Sequence, residues 1–291
     1  MAKITVVGAG GVGAQTLLEL YNTTHDVTAI DRDVVEKSSL ARQRLYTKSD
    51  VGKLKAHAAQ EKLGIHGVDA HLNEDNVDAL FNGVDVVLDC TDNWQTRCVI
   101  NAGALATRTP WLFTSAIRDE SMATTITPQT PCFVCWNPKP KNPRSCRVEG
   151  IREVATRTAA QTQVQELESL LHGRPRLAGI LQYTNTSTKT CATKALTKNP
   201  KCPACIKKTF QIPKAKSVVL CGDGEYLLET GVPFTKEALS SMNPKKFGNV
   251  LKIKFQDGEL IAFPSGRLLS RGLTQKQAEA AAEQLKQKQE S

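Results

Sequence analysis

The chain opens with a short apolar run that leads directly into a glycine-rich turn. Residues 4–7 read ITVV, which is typical of a buried strand, and the turn GAGGVG occupies residues 8–13. Leu17, Leu18 and Leu20 then begin a helical pattern. A strand, a glycine turn and a helix in this order predict the first βα unit of a parallel α/β sheet.

Four glycines of this turn suit a loop that wraps around a phosphate: Gly8, Gly10, Gly11 and Gly13. Glycine allows a tight turn, lets the backbone approach an anion without a Cβ, and lets the helix pack close to the strand. The N-terminus of the helix adds unpaired N–H groups and the positive end of its dipole. Asp31 ends a second apolar run, residues 27–30, and could accept hydrogen bonds from a ribose. These features predict a nucleotide site, but dehydrogenases, methyltransferases and ATP-dependent enzymes all use such a turn.

The chain has 291 residues, ample for one large α/β domain and a small companion. Its 38 Lys and Arg exceed its 29 Asp and Glu by nine, and part of the surplus lies at residues 139–147 and 194–216. A basic surplus favours an acidic protein, a phosphate or nucleic acid as partner, although a solvated basic surface is the plain alternative. No apolar stretch reaches the roughly 18 residues of a membrane span, and no charged-then-apolar leader precedes the first strand. We therefore expect a soluble cytoplasmic protein.

The rest of the first 211 residues alternates apolar runs with helical patterns. Residues 84–88 are apolar enough to form a strand buried on both faces, and the polar run DCTDN at 89–93 follows them. An open α/β sheet keeps its chemistry at such a carboxyl end. The alternation predicts a Rossmann-like, doubly wound, mostly parallel sheet with late antiparallel additions. The other predicted strands are 68–72, 110–113 and 123–126, and the predicted helices are 53–63, 76–81, 96–106 and 151–172.

Composition changes after residue 205, and we expect residues 212–291 to form a separate small α+β domain beside an ATP-binding domain at 1–211. Strands are predicted at 217–220, 226–229, 250–255 and 260–263, and helices at 236–241 and 274–288. This order of two strands, a helix, two strands and a helix is compatible with a ubiquitin-like fold that recruits a partner. A cap that stabilises the dimer or the zinc region is equally compatible.

Nine cysteines in a chain expected to be cytosolic favour metal binding or catalysis over disulfides. Cys132 and Cys135 form one C-x-x-C knuckle, and Cys202 and Cys205 form a second. Two such knuckles can supply four thiolates to one tetrahedral Zn²⁺, whose closed coordination makes the site structural. Four free thiols in turns are the alternative. We expect the cysteines in apolar or strand contexts to be buried bystanders: Cys90, Cys98, Cys191 and Cys221.

Several motifs occur in order over residues 3–206. They are the turn GAGGVG, Asp31-x-Asp33-x-Val35-Glu36, Ser38-Ser39-Leu40-x-Arg42-Gln43, Asp50-Val51-Gly52-x-x-Lys55, Asp89-Cys-Thr-Asp92-Asn93 with Arg97, and the two knuckles. This set resembles the ThiF/MoeB/HesA superfamily of ubiquitin-activating-type adenylyltransferases. The resemblance implies that ATP and Mg²⁺ are used to adenylate the C-terminal glycine of a small β-grasp protein, with release of pyrophosphate. That partner would be a ubiquitin-like or sulfur-carrier protein ending in Gly-Gly, and the enzyme would be a homodimer.

Two features depart from the superfamily pattern. Ser39 stands where relatives commonly carry Asn, which shortens one polar contact near the nucleotide. Relatives also often carry an N-terminal helix with an arginine that reaches across the dimer, whereas this sequence begins at its first strand.

The residue types suit the implied reaction, because attack of a carboxylate on an α-phosphate brings several negative charges together. Arg42 and Lys55 are the candidates for binding the phosphates, Arg42 through two oxygens and Lys55 as a point charge. Asp92 is the candidate ligand for Mg²⁺, which prefers carboxylate oxygen. Asp31 would hold the ribose. The nucleotide site would also include Asp33, Ser39, Gln43, Asn93 and the glycines of the turn. The plain alternatives are solvated helix charges for Arg42 and Lys55, a turn residue for Asp33 and a helix cap for Asp92.

Cys146 is the candidate nucleophile. It lies in the basic loop 139–147, where Arg144, Arg147 and the start of the next helix should favour its thiolate, the form that attacks an acyl-adenylate. A thioester would follow, and a downstream conjugating or acceptor protein could receive the small protein. Adenylation for sulfur transfer, in cofactor or tRNA thiolation and without a catalytic thioester, is the alternative. An NAD-dependent oxidoreductase gives no reason for the phosphate-binding cations or the knuckles.

Overall fold

The computed structural model describes residues 1–137, 150–210, 217–219 and 225–290. The chain divides into two compact units, one of residues 1–49 and 54–212 and the other of residues 50–53 and 213–291. Within the described residues no helix is long and apolar enough to cross a membrane.

The first unit is built on a large sheet with helices on both faces. Its described strands are β1 (Lys3–Val7), β2 (Asp26–Asp31), β3 (His66–Asp69), β4 (Val86–Asp89), β5 (Trp111–Ile117), β6 (Glu120–Ile126), β7 (Ile180–Asn185) and β8 (Thr190–Ala195). Its described α-helices are α1 (Gly11–Leu20), α2 (Lys55–Leu63), α3 (Val77–Phe81), α4 (Trp94–Thr107), α5 (Phe133–Trp136) and α6 (Glu153–Leu171). Short 3₁₀ segments occupy Lys37–Arg42 and Lys48–Asp50.

The strand order in this sheet is β3-β2-β1-β4-β5-β6-β7-β8. The first five strands pair in parallel, and the pairs from β5 to β8 are antiparallel. The predicted Rossmann-like α/β fold with late antiparallel additions is therefore confirmed. The strand order reverses direction between β1 and β4, and in open α/β sheets this switch point is where ligands bind.

Alternating side chains of the central strands supply two cores, one on each face of the sheet. Val6 and Leu88 pack with Leu17 of α1 and with α6, while Val87 packs on the opposite face with α3 and α4. Strand β4 is buried along its whole length, as the apolar run predicts. This double covering fixes the carboxyl ends of β1, β2 and β4 relative to one another.

The structure differs from the sequence prediction at several elements of the first unit. Strand β3 begins at His66 and ends at Asp69, earlier than the predicted 68–72. The hairpin of β7 and β8 was not predicted, because every residue of β8 is exposed and its sequence TCATKA lacks an apolar alternation. Backbone pairing with β7 at the end of the sheet forms this strand without a buried face.

The second unit contains an antiparallel sheet in the order β11-β12-β13-β14-β10-β9 among the described residues. The strands are β9 (Ser217–Val219), β10 (Glu225–Glu229), β11 (Lys245–Phe247), β12 (Val250–Phe255), β13 (Gly258–Ala262) and β14 (Arg267–Arg271). The C-terminal helix α7 (Gln275–Glu290) buries Ala278, Ala281 and Leu285 in a core with strand residues such as Ile253 and Leu260.

The predicted element order of this unit is wrong in two respects. Residues 236–241 do not form an α-helix in the described structure, where a 3₁₀ turn covers Ser240–Met242. The unpredicted strands β11 and β14 add to the sheet, so the described residues do not follow the order that suggested a ubiquitin-like fold. Strand β14 was missed because the sequence RLLSR places apolar residues together, which does not distinguish a strand from a helix.

Candidate nucleotide and metal sites

Two glycines of the turn after β1 are required by the protein's own packing. Gly8 has a φ of +93°, and a Cβ built on it would lie 2.9 Å from the carbonyl oxygen of Cys90. A Cβ on Gly13 would lie 1.8 Å from the carbonyl oxygen of Gly8, a distance no structure tolerates. Gly8 and Gly13 therefore let β1 turn directly into α1, with β4 packed against the turn.

The other two glycines border more open space. A Cβ on Gly10 would meet, as its nearest described neighbour, only Nε2 of Gln43 at 4.0 Å, and one on Gly11 would lie 3.3 Å from a methyl group of Thr156. Gly10 is the N-cap residue of α1, and no described side chain caps this helix. The absence of a Cβ at Gly10 thus leaves an accessible helix N-terminus, which suits a phosphate.

Asp31 ties the glycine turn to the end of β2. One of its carboxylate oxygens accepts a hydrogen bond from the N–H of Ala9 (2.6 Å), and the other accepts one from the N–H of Asp33 (2.7 Å). Burial raises the pKa of Asp31, an effect that the charge of Lys55 and the two backbone hydrogen bonds oppose. The carboxylate predicted to hold the ribose therefore also positions the loop.

Lys55 is the first residue of α2 and reaches back to the segment after β2. Its Nζ lies 3.0 Å from Oδ2 of Asp33, and its side chain is buried. Burial alone would lower the pKa of Lys55, but the nearby carboxylates of Asp33 and Asp31 outweigh burial and raise it. The lysine is therefore a buried ammonium close to the glycine turn, and it is not the solvated helix charge that was its plain alternative.

The 3₁₀ segment Lys37–Arg42 carries the predicted residues Ser39 and Arg42, and Gln43 follows it. Ser39 and Gln43 are buried, while Arg42 is partly exposed. The Oε1 atom of Gln43 is buried without a hydrogen-bond partner in the part of the chain that the structure describes. Nε2 of the same side chain is the nearest described atom to a Cβ built on Gly10, so the amide group of Gln43 borders the open side of this glycine.

The polar run after β4 is organised around a buried ion pair. Nε of Arg97 lies 3.1 Å from Oδ2 of Asp89, which is fully buried. Burial raises the pKa of Asp89, and the charge of Arg97 and hydrogen bonds from Thr91 oppose that effect. Asn93 is the N-cap of α4, where its Oδ1 accepts a hydrogen bond from the N–H of Thr96 (2.8 Å). Asp92 is exposed and precedes this cap.

Two buried polar residues that sequence reasoning missed hold the site together. Gln163 of α6 donates hydrogen bonds through Nε2 to the backbone oxygens of Asp89 (3.1 Å) and Leu112 (3.0 Å). Tyr46 donates its hydroxyl to the backbone oxygen of Ala9 (3.0 Å). The signal for Gln163 was available, because it is a polar residue on the buried stripe of a helix and therefore needs partners.

The four knuckle cysteines come together, as predicted. Their sulfur atoms all lie within 4.8 Å of one another. The Sγ–Sγ distances include 3.7 Å for Cys132–Cys202, 3.9 Å for Cys132–Cys135 and 3.5 Å for Cys135–Cys205. A tetrahedral Zn²⁺ with Zn–S bonds of about 2.3 Å sets its sulfurs about 3.8 Å apart, and these three distances are close to that value. Burial raises the pKa of the Cys205 thiol, whereas at Cys202 burial is outweighed by hydrogen bonds, chiefly from the backbone, which lower the pKa.

The remaining cysteines have different surroundings. Cys90 and Cys98 are buried, as predicted, and burial raises the pKa of each thiol to about 12, which makes both poor nucleophiles at neutral pH. The same prediction is wrong for Cys191, which is exposed on β8 because that strand has no buried face. Cys146 and Cys221 lie outside the described residues.

A glycine turn that leaves a helix N-terminus open, at the switch point of a Rossmann-like sheet, places the chain among the nucleotide-binding α/β proteins. Its family can be stated more narrowly. The family model described as ThiF family matches residues 1–204, so the chain belongs to this family. The protein is an adenylyltransferase of the ThiF/MoeB type.

Several curated proteins are similar over most of this length. The SAMP-activating enzyme E1 of Haloferax volcanii is 31% identical over 70% of this chain and 80% of its own. The sulfur carrier protein ThiS adenylyltransferase of Bacillus subtilis is 28% identical over 93% of this chain and 88% of its own. The molybdopterin-synthase adenylyltransferase of Salmonella typhimurium is 31% identical over 70% of this chain and 87% of its own.

Solved structures agree on the fold. The crystal structure of Escherichia coli MccB with ATP has a TM-score of 0.60 and 17% sequence identity. The match covers 70% of this chain and 66% of MccB, so the chain spans just under two thirds of that relative. At this identity the likeness concerns the fold alone.

Proposed function

We propose that this protein uses ATP to adenylate the C-terminal glycine of a small ubiquitin-like or sulfur-carrier protein. The observation that carries the proposal is the open space beside Gly10, at the N-terminus of α1, which no described side chain caps and which the amide nitrogen of Gln43 borders. The names of the ThiF-family relatives supply the class of acceptor, because they describe activation of SAMP, ThiS or molybdopterin-synthase proteins.

In the proposed reaction the terminal carboxylate of the small protein attacks the α-phosphorus of ATP. A new bond joins the carboxylate oxygen to phosphorus, and pyrophosphate leaves with the electrons of the broken P–O bond. The N–H groups at the start of α1 would donate hydrogen bonds to phosphate oxygens, and Asp31 would accept a hydrogen bond from the ribose. Arg42 and Lys55 would stabilise the negative charge that accumulates in the transition state. Lys55 would then exchange part of its contact with Asp33 for a phosphate oxygen.

Asp92 is the proposed ligand of Mg²⁺, which when bound supplies positive charge to the phosphates. The proposal is supported by the exposure of this carboxylate and by its place three residues after the end of β4, at the edge of the sheet where ligands bind. Asn93 uses Oδ1 to cap α4, so a contact with the nucleotide would come from its amide nitrogen.

The four-cysteine cluster is the proposed site of a structural Zn²⁺. The ion supplies four-coordinate cross-linking of residues far apart in sequence, and the sulfur spacing and burial fit it.

The fate of the adenylate divides the proposal into two branches. In the first, the thiolate of Cys146 attacks the carbonyl carbon of the adenylate, which forms a thioester with the small protein and releases AMP. A downstream conjugating or acceptor protein then receives the small protein. In the second, the adenylate is used in sulfur transfer without a thioester, a branch that the names of the ThiS and molybdopterin-synthase relatives favour. The homodimer, the cytoplasmic location, and a partner-recruiting or stabilising role for residues 212–291 stay predictions.

The experiment is ATP–pyrophosphate exchange with Mg²⁺ and a recombinant β-grasp protein ending in Gly-Gly. Exchange should depend on the two terminal glycines and should disappear in Asp92→Ala. Asp78→Ala, which removes an exposed carboxylate from α3, is the matched control and should keep full exchange. Absence of exchange with every such partner, together with binding of NADH in place of ATP, would contradict the proposal in favour of an oxidoreductase.

Cys146→Ala separates the two branches. In the thioester branch this variant keeps pyrophosphate exchange and loses a thiol-sensitive adduct with the small protein. In the sulfur-transfer branch the variant keeps exchange, and wild-type protein forms no thioester with the small protein. Loss of exchange in this variant would show that the cysteine acts in the adenylation step itself.

A further inference from the structure

The cysteine cluster is joined to a group of aromatic side chains. The short helix α5 lies within the first knuckle, so Phe133 and Trp136 move with Cys132 and Cys135. The ring of Phe113, on β5, lies 5.3 Å from that of Trp136 and 5.9 Å from that of Phe133, measured between ring centroids. Phe113 and Phe133 are both buried. The first knuckle therefore packs directly on the side chain of Phe113.

Phe113 also contacts the ion pair that organises the run after β4. The guanidinium carbon of Arg97 lies 4.6 Å from the centroid of the Phe113 ring, within the range of a cation–π interaction. Arg97 also donates hydrogen bonds to Asp89 (3.1 Å) and to the backbone oxygen of Thr114 (3.0 Å). Phe113 thus contacts both the knuckle and the arginine.

Arg97 in turn fixes the backbone that carries Asp92. It donates a hydrogen bond to the backbone oxygen of Thr91. Asp89 accepts hydrogen bonds from the N–H (2.8 Å) and the hydroxyl (2.6 Å) of Thr91. Since Asp92 directly follows Thr91, its position depends on the same ion pair.

We infer that Phe113 is a positioning residue, which transmits the placement of the cysteine cluster through Arg97 to the Thr91–Asp92 segment. This inference rests on the proposed function, because it assigns Asp92 to the metal that accompanies ATP. The first knuckle then does more than connect segments that are distant in sequence. Its aromatic residues also set the position of the Asp92 carboxylate in the nucleotide site.

The chemistry of the contact explains why an aromatic side chain stands at this position. A buried guanidinium needs compensation for its lost hydration, and a ring face provides it where a second carboxylate would compete with Asp89. An aliphatic side chain of similar size keeps most of the packing but provides no negative π face. Phe113→Leu should therefore loosen Arg97 while keeping the core filled.

Two hydrogen bonds also link the first knuckle to α4. Nε1 of Trp94, the first residue of α4, donates a hydrogen bond to the backbone oxygen of Asn137, just after α5 (3.2 Å). The N–H of Phe133 donates one to Oδ1 of Asn101, further along α4 (2.9 Å). The knuckle therefore contacts α4 at two places, and α4 begins one residue after Asn93.

The test compares Phe113→Leu with Phe81→Leu. Phe81 is equally buried in the same core, beside Gly103 of α4, and within the described residues its ring makes no aromatic contact with the knuckle and no cation–π contact with Arg97. ATP affinity is measured by calorimetry without carrier protein, with and without Mg²⁺, in buffer free of chelator so that zinc is retained. Zinc content is measured in the same samples.

We expect Mg²⁺ to tighten ATP binding by wild-type protein and Phe113→Leu to reduce that gain about five-fold. The affinity for metal-free ATP and the zinc content should stay unchanged, and Phe81→Leu should keep the full gain. A general loss of stability would affect both variants alike and would not act on the Mg²⁺-dependent part alone. The inference would be overturned if the Mg²⁺-dependent gain in ATP affinity stayed complete in both variants, or if it fell equally in both. Wild-type protein that fails to bind ATP would instead overturn the proposed function, and the inference with it.

A double-mutant cycle tests the path from the cysteines. Cys205→Ser should reduce the Mg²⁺-dependent gain in wild-type protein but have little further effect in Phe113→Leu, because both changes act through one contact. Additive losses would show that the cluster does not act through Phe113. If Cys205→Ser does not yield folded protein, the comparison of Phe113→Leu with Phe81→Leu decides the matter.

Discussion

The ammonium group of Lys55 lies 3.0 Å from a carboxylate oxygen of Asp33. The pair joins the first residue of α2 to the segment that follows β2, and the carboxylate holds the lysine side chain in place. The lysine side chain is only 8% exposed and that of Asp33 is 33% exposed, so the lysine is the more deeply buried member of the pair. A phosphate that approaches the turn therefore meets a cation that is already oriented and largely stripped of water.

Removing this charge should weaken the proposed reaction strongly. We expect Lys55→Met to lower kcat/KM for ATP in pyrophosphate exchange by about 10- to 100-fold, since a charge-assisted contact of a buried cation is lost. Lys62→Met, at the exposed last turn of the same helix, is the control and should stay within about two-fold of wild type. Equal activities of the two variants would show that Lys55 serves only to hold Asp33.

The glycines of the turn should divide into two functional groups. Gly13→Ala should lower the free energy of unfolding by about 3 kcal/mol or more, because its Cβ would collide with the carbonyl oxygen of Gly8. Gly10→Ala should cost about 1 kcal/mol at most, since the new Cβ would lie 4.0 Å from its nearest described neighbour, yet ATP affinity should fall because the methyl group enters the anion site. Denaturant unfolding and calorimetric ATP titration measure the two effects. Unimpaired ATP binding by folded Gly10→Ala would place the phosphates elsewhere.

Much of the fold of the first unit could be predicted from the sequence, because the patterns that indicate its strands and helices are local. The buried run of β4 and the turn GAGGVG each specify one element whatever surrounds it. The gathering of the four cysteines also followed, since paired C-x-x-C knuckles are characteristic of one ligand set. The hairpin of β7 and β8 did not follow, because its strands are specified by backbone pairing at the end of a sheet and not by an apolar pattern.

The contacts that connect these elements could not be predicted from the sequence. The motif with Asp89, Asp92 and Arg97 indicated a functional segment, but it did not reveal that Arg97 is paired with Asp89 inside the core. That pairing depends on tertiary burial and on the ring of Phe113, which comes from a different strand. Asn93 similarly emerged as the cap of α4 only from backbone geometry, whereas Asp92 was the candidate cap in the sequence.

Zinc binding should require the cysteines of the two knuckles and should not require Cys191, the exposed cysteine on β8. We expect about one zinc per chain in wild-type protein and in Cys191→Ser, and loss of the metal in Cys135→Ser. Loss of the ion should lower the free energy of unfolding by about 3 kcal/mol or more, because the cross-link between residues 70 positions apart is removed. Elemental analysis and denaturant unfolding measure both quantities. Full zinc content in Cys135→Ser would contradict a four-cysteine site.

The buried thiol of Cys98 should make stability fall at alkaline pH. Burial raises its pKa from 9.0 to about 12, so between these values the folded chain keeps the proton while the unfolded chain loses it. Unfolding then releases a proton, and the free energy of unfolding decreases by about 1.4 kcal/mol per pH unit above pH 9 for this one group. Below pH 9 both states are protonated and the contribution is fully present.

Cys98→Ala isolates this effect from the other groups that titrate at alkaline pH. At pH 8 the variant should be less stable than wild type by about 1 kcal/mol, because it loses buried packing. By pH 11 the difference should reverse in sign, since the variant has no thiol proton to lose on unfolding. Cys191→Ala, whose side chain is exposed, should run parallel to wild type in urea unfolding under reducing conditions from pH 8 to 11. Parallel curves for Cys98→Ala and wild type would mean that solvent reaches the Cys98 thiol in the folded protein, and the core between α4 and the sheet would then be less well packed than its burial indicates.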